Sequence, residues 1–228
     1  MKFKNKGNKT GEILIYEEIG EGWFGGIGAK SFAKELKELG TLDEINVRIN
    51  SDGGNVFDGI AIYNQLRRNG ARIIVDIDGL AASIASVIAM AGDEIRIAEN
   101  ATLMYHDPWG VVAGTADQIR TQADLLDQVR DQLIDTYAQQ ASIDRDQIGD
   151  EMRDETWLTA DMALERGLVT EITGEMQMAA HWDLTKFKHP PSTLLEQKNM
   201  VQIDPTKPAD NDASVKLSRM AAKARAIT

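Results

Sequence analysis

The amino-acid sequence predicts an α/β fold with a mostly parallel sheet, because short strands rich in β-branched residues alternate with helices. Strands are predicted at 12–19, 45–50, 71–79, 94–98 and 102–106, and helices at 29–39, 56–70 and 82–91. Connections that contain a helix join parallel strands, so most neighbouring strands should run in the same direction. A short helix within 157–167, with Thr159 as its N-cap, and a strand at 168–172 are predicted to close the fold.

The longest predicted helix, Thr115–Ala141, stands outside this alternation of strands and helices. It has one apolar stripe, which includes Ile119, Leu126, Val129 and Leu133, and several aspartates elsewhere around the helix. Such a helix needs one covered face. We expect an arm that packs either on the body of the protein or on another subunit.

The C-terminal part of the chain differs in composition from the rest. From Pro190 onward the sequence is polar and contains four of the five prolines, with little apolar periodicity before its last turns. Such segments bury too little apolar surface to fold by themselves. We therefore predict one α/β domain at 1–183 and a polar, flexible tail at 184–228.

The overall composition excludes several classes of function. The 228 residues include 25 basic and 36 acidic side chains, a net charge of −11, which disfavours binding to nucleic acids or anionic membranes. There is no cysteine, which excludes disulfides, thiol nucleophiles and thiolate metal sites. The basic, polar start at 1–10 is not a signal peptide, and the longest apolar run, 79–92, is shorter than the roughly 20 residues of a transmembrane helix. A cytoplasmic location is expected.

Ser83 is the first candidate for a chemical role. It lies where the predicted strand at 71–79 gives way to the helix at 82–91, and the free N–H groups of a helix N-terminus favour negative charge. The alternative is that Ser83 is a small packing residue, which is the more common role of a serine among alanines. Ser86, one turn later, is interpreted as structural.

A serine nucleophile requires a base, and three histidines are available. His106 ends the strand at 102–106, so it should reach the same sheet edge as Ser83 if the two strands are parallel. His181 is interpreted as a surface residue, and His189, in the predicted tail, is a poor candidate.

The pair of glycines at Gly53 and Gly54 follows the strand at 45–50. Glycines let a backbone approach a ligand closely, so the amides of Gly54 and Ile84 could form an oxyanion hole beside Ser83. The alternative for the glycine pair is an ordinary turn.

Four motifs in order resemble the proteolytic subunit of the Clp protease family, serine peptidases of the Clp/crotonase superfamily. They read INSDGGNVFDGIAIYNQL, GLAASIASVIAMAG, MYHDPWG and DETWLTADMALERGLVTEI, and the resemblance covers about residues 40–173. It implies a Clp/crotonase-like fold with a protruding handle at about 107–141. It also implies Ser83 as nucleophile, His106 as general base, and Gly54 and Ile84 as oxyanion donors.

Two positions depart from the family pattern. Asp52 replaces the usual proline before the two glycines, which is expected to change loop rigidity more than chemistry. The triad acid normally stands two residues before the aromatic residue of the last motif, a position that Glu155 occupies here, while Asp154 stands three before Trp157. Register favours Glu155 as the acid, with Asp154 as the alternative.

The resemblance implies peptide hydrolysis by a homo-oligomeric ring, a heptamer or stacked heptamers, without any cofactor or metal. Protein or peptide substrates are implied, and a Clp-type ATPase unfoldase is a possible partner. The short segment before the first predicted strand, the ETW motif and the polar tail favour the phage and prophage type, which processes capsid or scaffold proteins in head maturation in the host cytoplasm. The alternatives are a housekeeping subunit fed by an unfoldase, a crotonase-like acyl-CoA enzyme and an inactive ring scaffold.

Overall fold

The computed structural model describes residues 2–21, 26–176 and 182–196. The strands of these ranges are β1 (Lys2–Gly7), β2 (Thr10–Ile15), β3 (Glu44–Ser51), β4 (Arg72–Ala82), β5 (Glu94–Ala98), β6 (Thr102–Tyr105), β7 (Thr156–Thr159) and β8 (Glu171–Thr173). The helices are α1 (Ala29–Glu38), α2 (Val56–Arg67), α3 (Ile84–Ala89), α4 (Ala116–Ala138), α5 (Arg145–Arg153), α6 (Ala160–Glu165) and α7 (Ser192–Glu196), with a 3-10 turn at Leu184–Lys186.

One sheet contains these strands in the order β1-β2-β3-β4-β5-β8. The pairs from β2 to β8 are parallel, as is the additional pair between β4 and β6, whereas β1–β2 and β6–β7 are antiparallel. The prediction of an α/β fold with a mostly parallel sheet is confirmed. Strand β4 is long enough to pair twice, first with β5 at 74–77 and then with β6 at 80–82.

The centre of the core is formed by β4 and the helices on either side of it in sequence. Strand β4 is buried at 73–75 and 77–82, as expected for an interior strand of a parallel sheet. All six residues of α3 are buried. Gly59 lets α2 approach this helix closely, because a Cβ atom there would lie 2.1 Å from Ile84 Cγ1.

The first strand was not expected from the sequence. β1 has the sequence KFKNKG and is mostly exposed, so it lacks the apolar alternation that identifies a half-buried strand. It adds to the edge of the sheet by pairing with β2, and lysines are typical of such an edge.

Helix α4 corresponds to the predicted arm. It begins after Thr115, whose side chain forms a capping box with Gln118. Residues 111–125 are exposed, whereas Val129, Leu133 and Tyr137 are buried against the body. The N-terminal half therefore protrudes, and the C-terminal half belongs to the core of the same chain. In the part of the chain that the structure describes, no helix combines the length and hydropathy needed to cross a membrane.

The prediction of a flexible tail from residue 184 is wrong for residues 184–196. Leu184, Phe187 and Leu194 are buried and form a second apolar cluster with Trp182 and the ends of β4 and β6. The polar composition of this segment indicated a tail. A few widely spaced large apolar residues are nevertheless enough to fix a segment on an existing surface. The remainder of the predicted tail, 197–228, lies outside the described residues.

Candidate active site

The backbone at Ser83 forms a sharp turn between the end of β4 and the start of α3. Its φ and ψ angles are 55° and −131°, a conformation that costs a non-glycine residue on the order of 1–3 kcal/mol. The amide of Ser83 donates a hydrogen bond of 2.9 Å to the carbonyl of Met104 in β6. Gly53 lies directly beside the turn, since a Cβ atom there would be 2.7 Å from the Cβ of Ser83.

His106 follows β6 directly, and the parallel pairing of β4 with β6 brings it to the same sheet edge as Ser83. The Oγ atom of Ser83 lies 2.8 Å from Nε2 of His106, a hydrogen-bond distance. The structure thus brings together the two side chains that the sequence reasoning paired. Both line a cleft of about 710 Å³ with Gly54 and Trp109.

The surroundings of His106 favour its neutral form. Burial lowers the pKa of His106 below its ordinary value of 6.5, and this effect outweighs the opposite effect of the Glu155 carboxylate. Lys186 and Lys188 lower the pKa further through their charges. A neutral imidazole with Nε2 directed at a hydroxyl can accept a proton at neutral pH.

Glu155, rather than Asp154, faces the second ring nitrogen of His106. It follows α5 with φ of 55°, its side chain is 3% exposed, and its Oε2 atom lies 4.0 Å from Nδ1 of His106. Asp154 is the exposed C-cap residue of α5. Of the two carboxylates that the sequence reasoning left open, the buried one therefore lies near the imidazole.

Three N–H groups donate to the Glu155 carboxylate. Two are backbone amides, of Lys188 to Oε2 at 2.9 Å and of His189 to Oε1 at 2.7 Å, and the third is the Trp157 indole, to Oε1 at 3.3 Å. Such donors compensate a buried carboxylate for the hydrogen bonds to water that it has lost. His189 therefore contacts the candidate site, but through its backbone and not its ring.

The two residues predicted as oxyanion donors are near Ser83: Ile84 follows it in the chain, and Gly54 lines the same cleft. Hydrogen bonds of 2.8 Å join the Gly53 carbonyl and the Asn55 amide to Ile19, which fixes the backbone of Gly54 between them. Only glycine fits at Gly54, where φ is 145° and a Cβ atom would lie 2.0 Å from the Ile19 carbonyl oxygen. Ile84 is the first residue of α3, so its amide precedes the first intrahelical hydrogen bond.

Ser86 supports the turn from inside the core, in agreement with its interpretation as structural. It is fully buried, and its hydroxyl donates a hydrogen bond of 2.6 Å to the Ser83 carbonyl. The Tyr137 hydroxyl of α4 lies 2.7 Å from the same Ser86 oxygen. The turn that presents Ser83 is thereby joined to the base of the arm.

Residues 182–189, which we call the strap, contact the candidate site, and these contacts were not expected from the sequence. Phe187 packs edge-on against His106 at a centroid distance of 5.6 Å and against Trp157 at 5.3 Å. The ammonium group of Lys186 lies 2.9 Å from Oδ2 of Asp52. The available signal was the aromatic and apolar content of WDLTKF just after the predicted domain. His181 lies outside the described residues.

Metal ligation has no geometric support in the described ranges, since they contain no group of three or more His, Cys, Asp or Glu side chains that could hold an ion. Among the acidic residues that line the cleft, Asp52 is bonded to Lys186 and Asp58 accepts from the Ala29 amide.

Comparison with known protein families matches residues 8–176 to the Clp protease family. The chain belongs to this family. Its matched region includes Ser83, His106 and Glu155 and ends before the strap. The match covers strands β3 to β8 and all of β2, whereas β1 and the strap lie outside it.

Individual Clp protease relatives are similar over about two thirds of the chain. The proteolytic subunit 1 of the ATP-dependent Clp protease of Salinibacter ruber is 32% identical over 147 residues, which are 64% of this chain and 63% of that subunit, less than two thirds of its length. Subunit 1 of Leifsonia xyli is 33% identical over 149 residues, 63% of this chain and 76% of that subunit. Subunit 3 of Rhodococcus jostii is 30% identical over 160 residues, 67% of this chain and 79% of that subunit.

Proposed function

We propose that this chain is a serine endopeptidase in which Ser83 is the nucleophile, His106 the general base and Glu155 the triad acid. The observation that supports the proposal most directly is the 2.8 Å contact between Ser83 Oγ and His106 Nε2 at the wall of a cleft. Membership of the Clp protease family supports the same class of reaction.

In the first step, Nε2 of His106 accepts the Ser83 proton while Oγ attacks a peptide carbonyl carbon. The C–O bond forms as the carbonyl π electrons move to oxygen, and the resulting imidazolium is stabilised by the Glu155 carboxylate on its Nδ1 side. The distance of 4.0 Å between Nδ1 and Oε2 requires only a small closure to become a hydrogen bond.

The amides of Gly54 and Ile84 are proposed to bind the negative oxygen of the tetrahedral intermediate. Loss of one such donor costs about 3–4 kcal/mol of activation free energy in serine peptidases. His106 then returns its proton to the leaving amine, and a water molecule, deprotonated by the same imidazole, hydrolyses the acyl-enzyme. These steps restore Ser83 and use no cofactor.

A homo-oligomeric ring, a heptamer or stacked heptamers, is proposed as the working assembly, and proteins or peptides as substrates. The names of the relatives, which are proteolytic subunits of ATP-dependent proteases, support both proposals and a Clp-type ATPase as a partner. The exposed half of α4 and the exposed Trp109 and Val111 beside the cleft offer surface for contacts between subunits or with a substrate.

The biological setting that we propose is processing of capsid or scaffold proteins in the bacterial cytoplasm, as in phage head maturation. The variant motifs around Asp52 and Trp157 and the long polar C-terminal sequence favour it. Incubation with a capsid or scaffold protein and with unfolded casein, each with and without an added ATPase unfoldase, distinguishes this setting from housekeeping degradation. Cleavage of the capsid substrate at a few sites supports it, and turnover of casein only with an added unfoldase contradicts it.

The chemical proposal is tested by labelling the full chain with a fluorophosphonate. We expect modification at Ser83, no labelling of Ser83→Ala and strongly reduced labelling of His106→Ala. Ser142→Ala is the matched control, since Ser142 lies far along the chain and bonds to the Glu165 carbonyl. A folded but unlabelled wild type contradicts the proposal and favours a scaffold or a crotonase-like acyl-CoA enzyme.

A further inference from the structure

The strap touches the candidate triad at three separate points. Its Phe187 ring packs on the imidazole of His106. Its amides at Lys188 and His189 donate to both oxygens of Glu155. Its Trp182 and Leu184 enter the apolar cluster below the ends of β4 and β6, so the strap is anchored next to the strands that deliver Ser83 and His106.

A partly buried ion pair joins the strap to the glycine loop, and both of its residues line the cleft. Oδ2 of Asp52 accepts from Lys186 Nζ at 2.9 Å and from the Asp183 amide at 3.3 Å. The side chain of Asp52 is 12% exposed and that of Lys186 is 25% exposed. Asp52 immediately precedes Gly53 and Gly54, so this pair, which we call the latch, links the proposed oxyanion loop to the strap.

We propose that the strap is a positioning element of the active site, which holds the Glu155 carboxylate against His106 and is itself fixed by the Asp52–Lys186 latch. The residue at position 52 thereby acquires a function through its carboxylate, which a proline could not supply. The strap lies beyond the region matched to the family.

Packing alone does not explain these contacts. Glu155 is 3% exposed, and the two strap amides are the shorter of its three hydrogen bonds. Without them the carboxylate would be buried with the Trp157 indole as its remaining donor among the described side chains and amides. Burial of a carboxylate without hydrogen-bond donors is costly, so the side chain would turn toward water and away from Nδ1 of His106.

Lys188→Pro tests the strap by deleting one of the two amide donors. Phe187 has φ −99° and ψ 153°, the extended conformation that a residue before proline adopts. Lys188→Ala is the matched control, because it removes the same side chain and charge but keeps the amide. We expect Lys188→Pro to lower kcat for a peptide substrate on the order of 10- to 100-fold relative to Lys188→Ala, with KM within about 2-fold.

The pKa of His106 provides a readout that does not depend on activity. It is measured by hydrogen–deuterium exchange at the imidazole Cε1 position, followed by mass spectrometry over a pH series. Because the Glu155 charge raises the pKa of His106, loss of that charge should lower it in Lys188→Pro relative to Lys188→Ala. An unchanged or raised value in a folded variant overturns the inference.

The latch is tested by a double-mutant cycle with Asp52→Asn, Lys186→Met and the double variant. If the two residues act through each other, each single change lowers kcat about 10-fold and the double change lowers it no further than the larger single effect. Additive effects overturn the latch. A merely structural role would reduce the fraction of molecules with a working site but not the turnover of each site. If kcat, divided by the number of sites that react with the fluorophosphonate, is equal in all variants, the latch is therefore also overturned.

This inference rests on the proposed function only for its kinetic readouts. If wild-type protein is not labelled at Ser83, the peptidase proposal fails, but the pKa comparison still tests whether the strap holds Glu155 against His106. If wild type is labelled and the His106 pKa is identical in Lys188→Pro and Lys188→Ala, the strap inference fails alone.

Discussion

Ala82 pairs with Met104 in the parallel ladder between β4 and β6. Ser83 follows Ala82 by one residue and His106 follows Met104 by two, so the register of this pair determines whether the hydroxyl and the imidazole meet. The Ser83 amide extends the ladder by donating to the Met104 carbonyl. A slip by one residue would reverse the faces of the side chains and separate the two groups.

The identity of the triad acid leads to the first prediction. Glu155→Gln should lower kcat/KM by up to about 10⁴-fold, the loss seen when the carboxylate of a serine-peptidase triad becomes an amide. Asp154→Asn is the matched control and should remain within about 2-fold, because exposed substitutions away from a site cost less than about 0.5 kcal/mol. Hydrolysis of a fluorogenic peptide measures both.

Equal and mild effects of the two substitutions would contradict a triad acid at either position. A large loss in Asp154→Asn alone would mean that the exposed carboxylate approaches His106 in the working assembly. Circular dichroism must first show that both variants are folded.

The pH dependence of activity provides the second prediction. Burial lowers the pKa of His106 below 6.5, so the acid limb of kcat/KM should have its midpoint below that pH and a plateau above it. The depressed folded-state pKa also means that protons bind the unfolded chain more strongly. The associated stability is therefore present above about pH 6.5 and is lost as the pH falls through the folded-state pKa.

Initial rates and urea unfolding, measured over the same pH series, separate the titration of the site from loss of fold. His106→Gln is the control for the unfolding series, since it removes the contribution of this imidazole to the dependence of the free energy of unfolding on pH. A midpoint at pH 7 or above would mean that the Glu155 charge outweighs the burial of the imidazole.

The sequence predicted those parts of the fold that depend on local pattern. The apolar run of β4 and the small residues after it indicated both a buried strand and the turn at Ser83. The contact of Ser83 with His106 was predictable because parallel strands end at one sheet edge. The choice between Glu155 and Asp154 was open, since it depends on the φ of 55° at Glu155, which one sequence does not reveal.

The strap was not predictable for a different reason. Its contacts join residues far apart in sequence, as the Asp52 carboxylate does with the Asp183 amide, and they leave no periodic pattern. The neighbours of Phe187 in the sequence are polar and gave no sign that its ring packs on His106. From the sequence, Asp52 was expected only to change the rigidity of the loop. Its ion pair with Lys186 is visible only in the structure.

The buried hydrogen bond between Tyr137 and Ser86 gives the third prediction. Tyr137→Phe should lower the free energy of unfolding by about 0.5–1.5 kcal/mol, because the Ser86 oxygen loses a partner that water cannot replace in the core. Tyr63→Phe is the control, since Tyr63 is half-buried and its hydroxyl makes no hydrogen bond within the described residues; its effect should be under about 0.5 kcal/mol. Urea unfolding measures both, and equal effects would contradict the role of this bond.

The close contact of α2 with α3 gives the fourth prediction. In Gly59→Ala the new methyl group would lie 2.1 Å from Ile84 Cγ1, so either the Ile84 side chain or the α3 backbone that carries it must shift. Overpacking of this kind costs about 1–3 kcal/mol, enough to outweigh the gain of up to about 1 kcal/mol in helix propensity. Because Ile84 carries a proposed oxyanion amide, the rate of Ser83 acylation should fall together with stability.

Gly70→Ala is the matched control for this substitution. A Cβ atom at Gly70 meets nothing within 4 Å, so the same chemical change adds no crowding and should leave both stability and acylation close to those of the wild type. Urea unfolding and the rate of fluorophosphonate labelling are measured on both variants. If Gly59→Ala loses stability but acylates at the wild-type rate, α3 has moved without displacing the Ile84 amide. The side chain and the amide of Ile84 would then move independently. That outcome would contradict the prediction that packing of α2 against α3 sets the position of the proposed oxyanion amide.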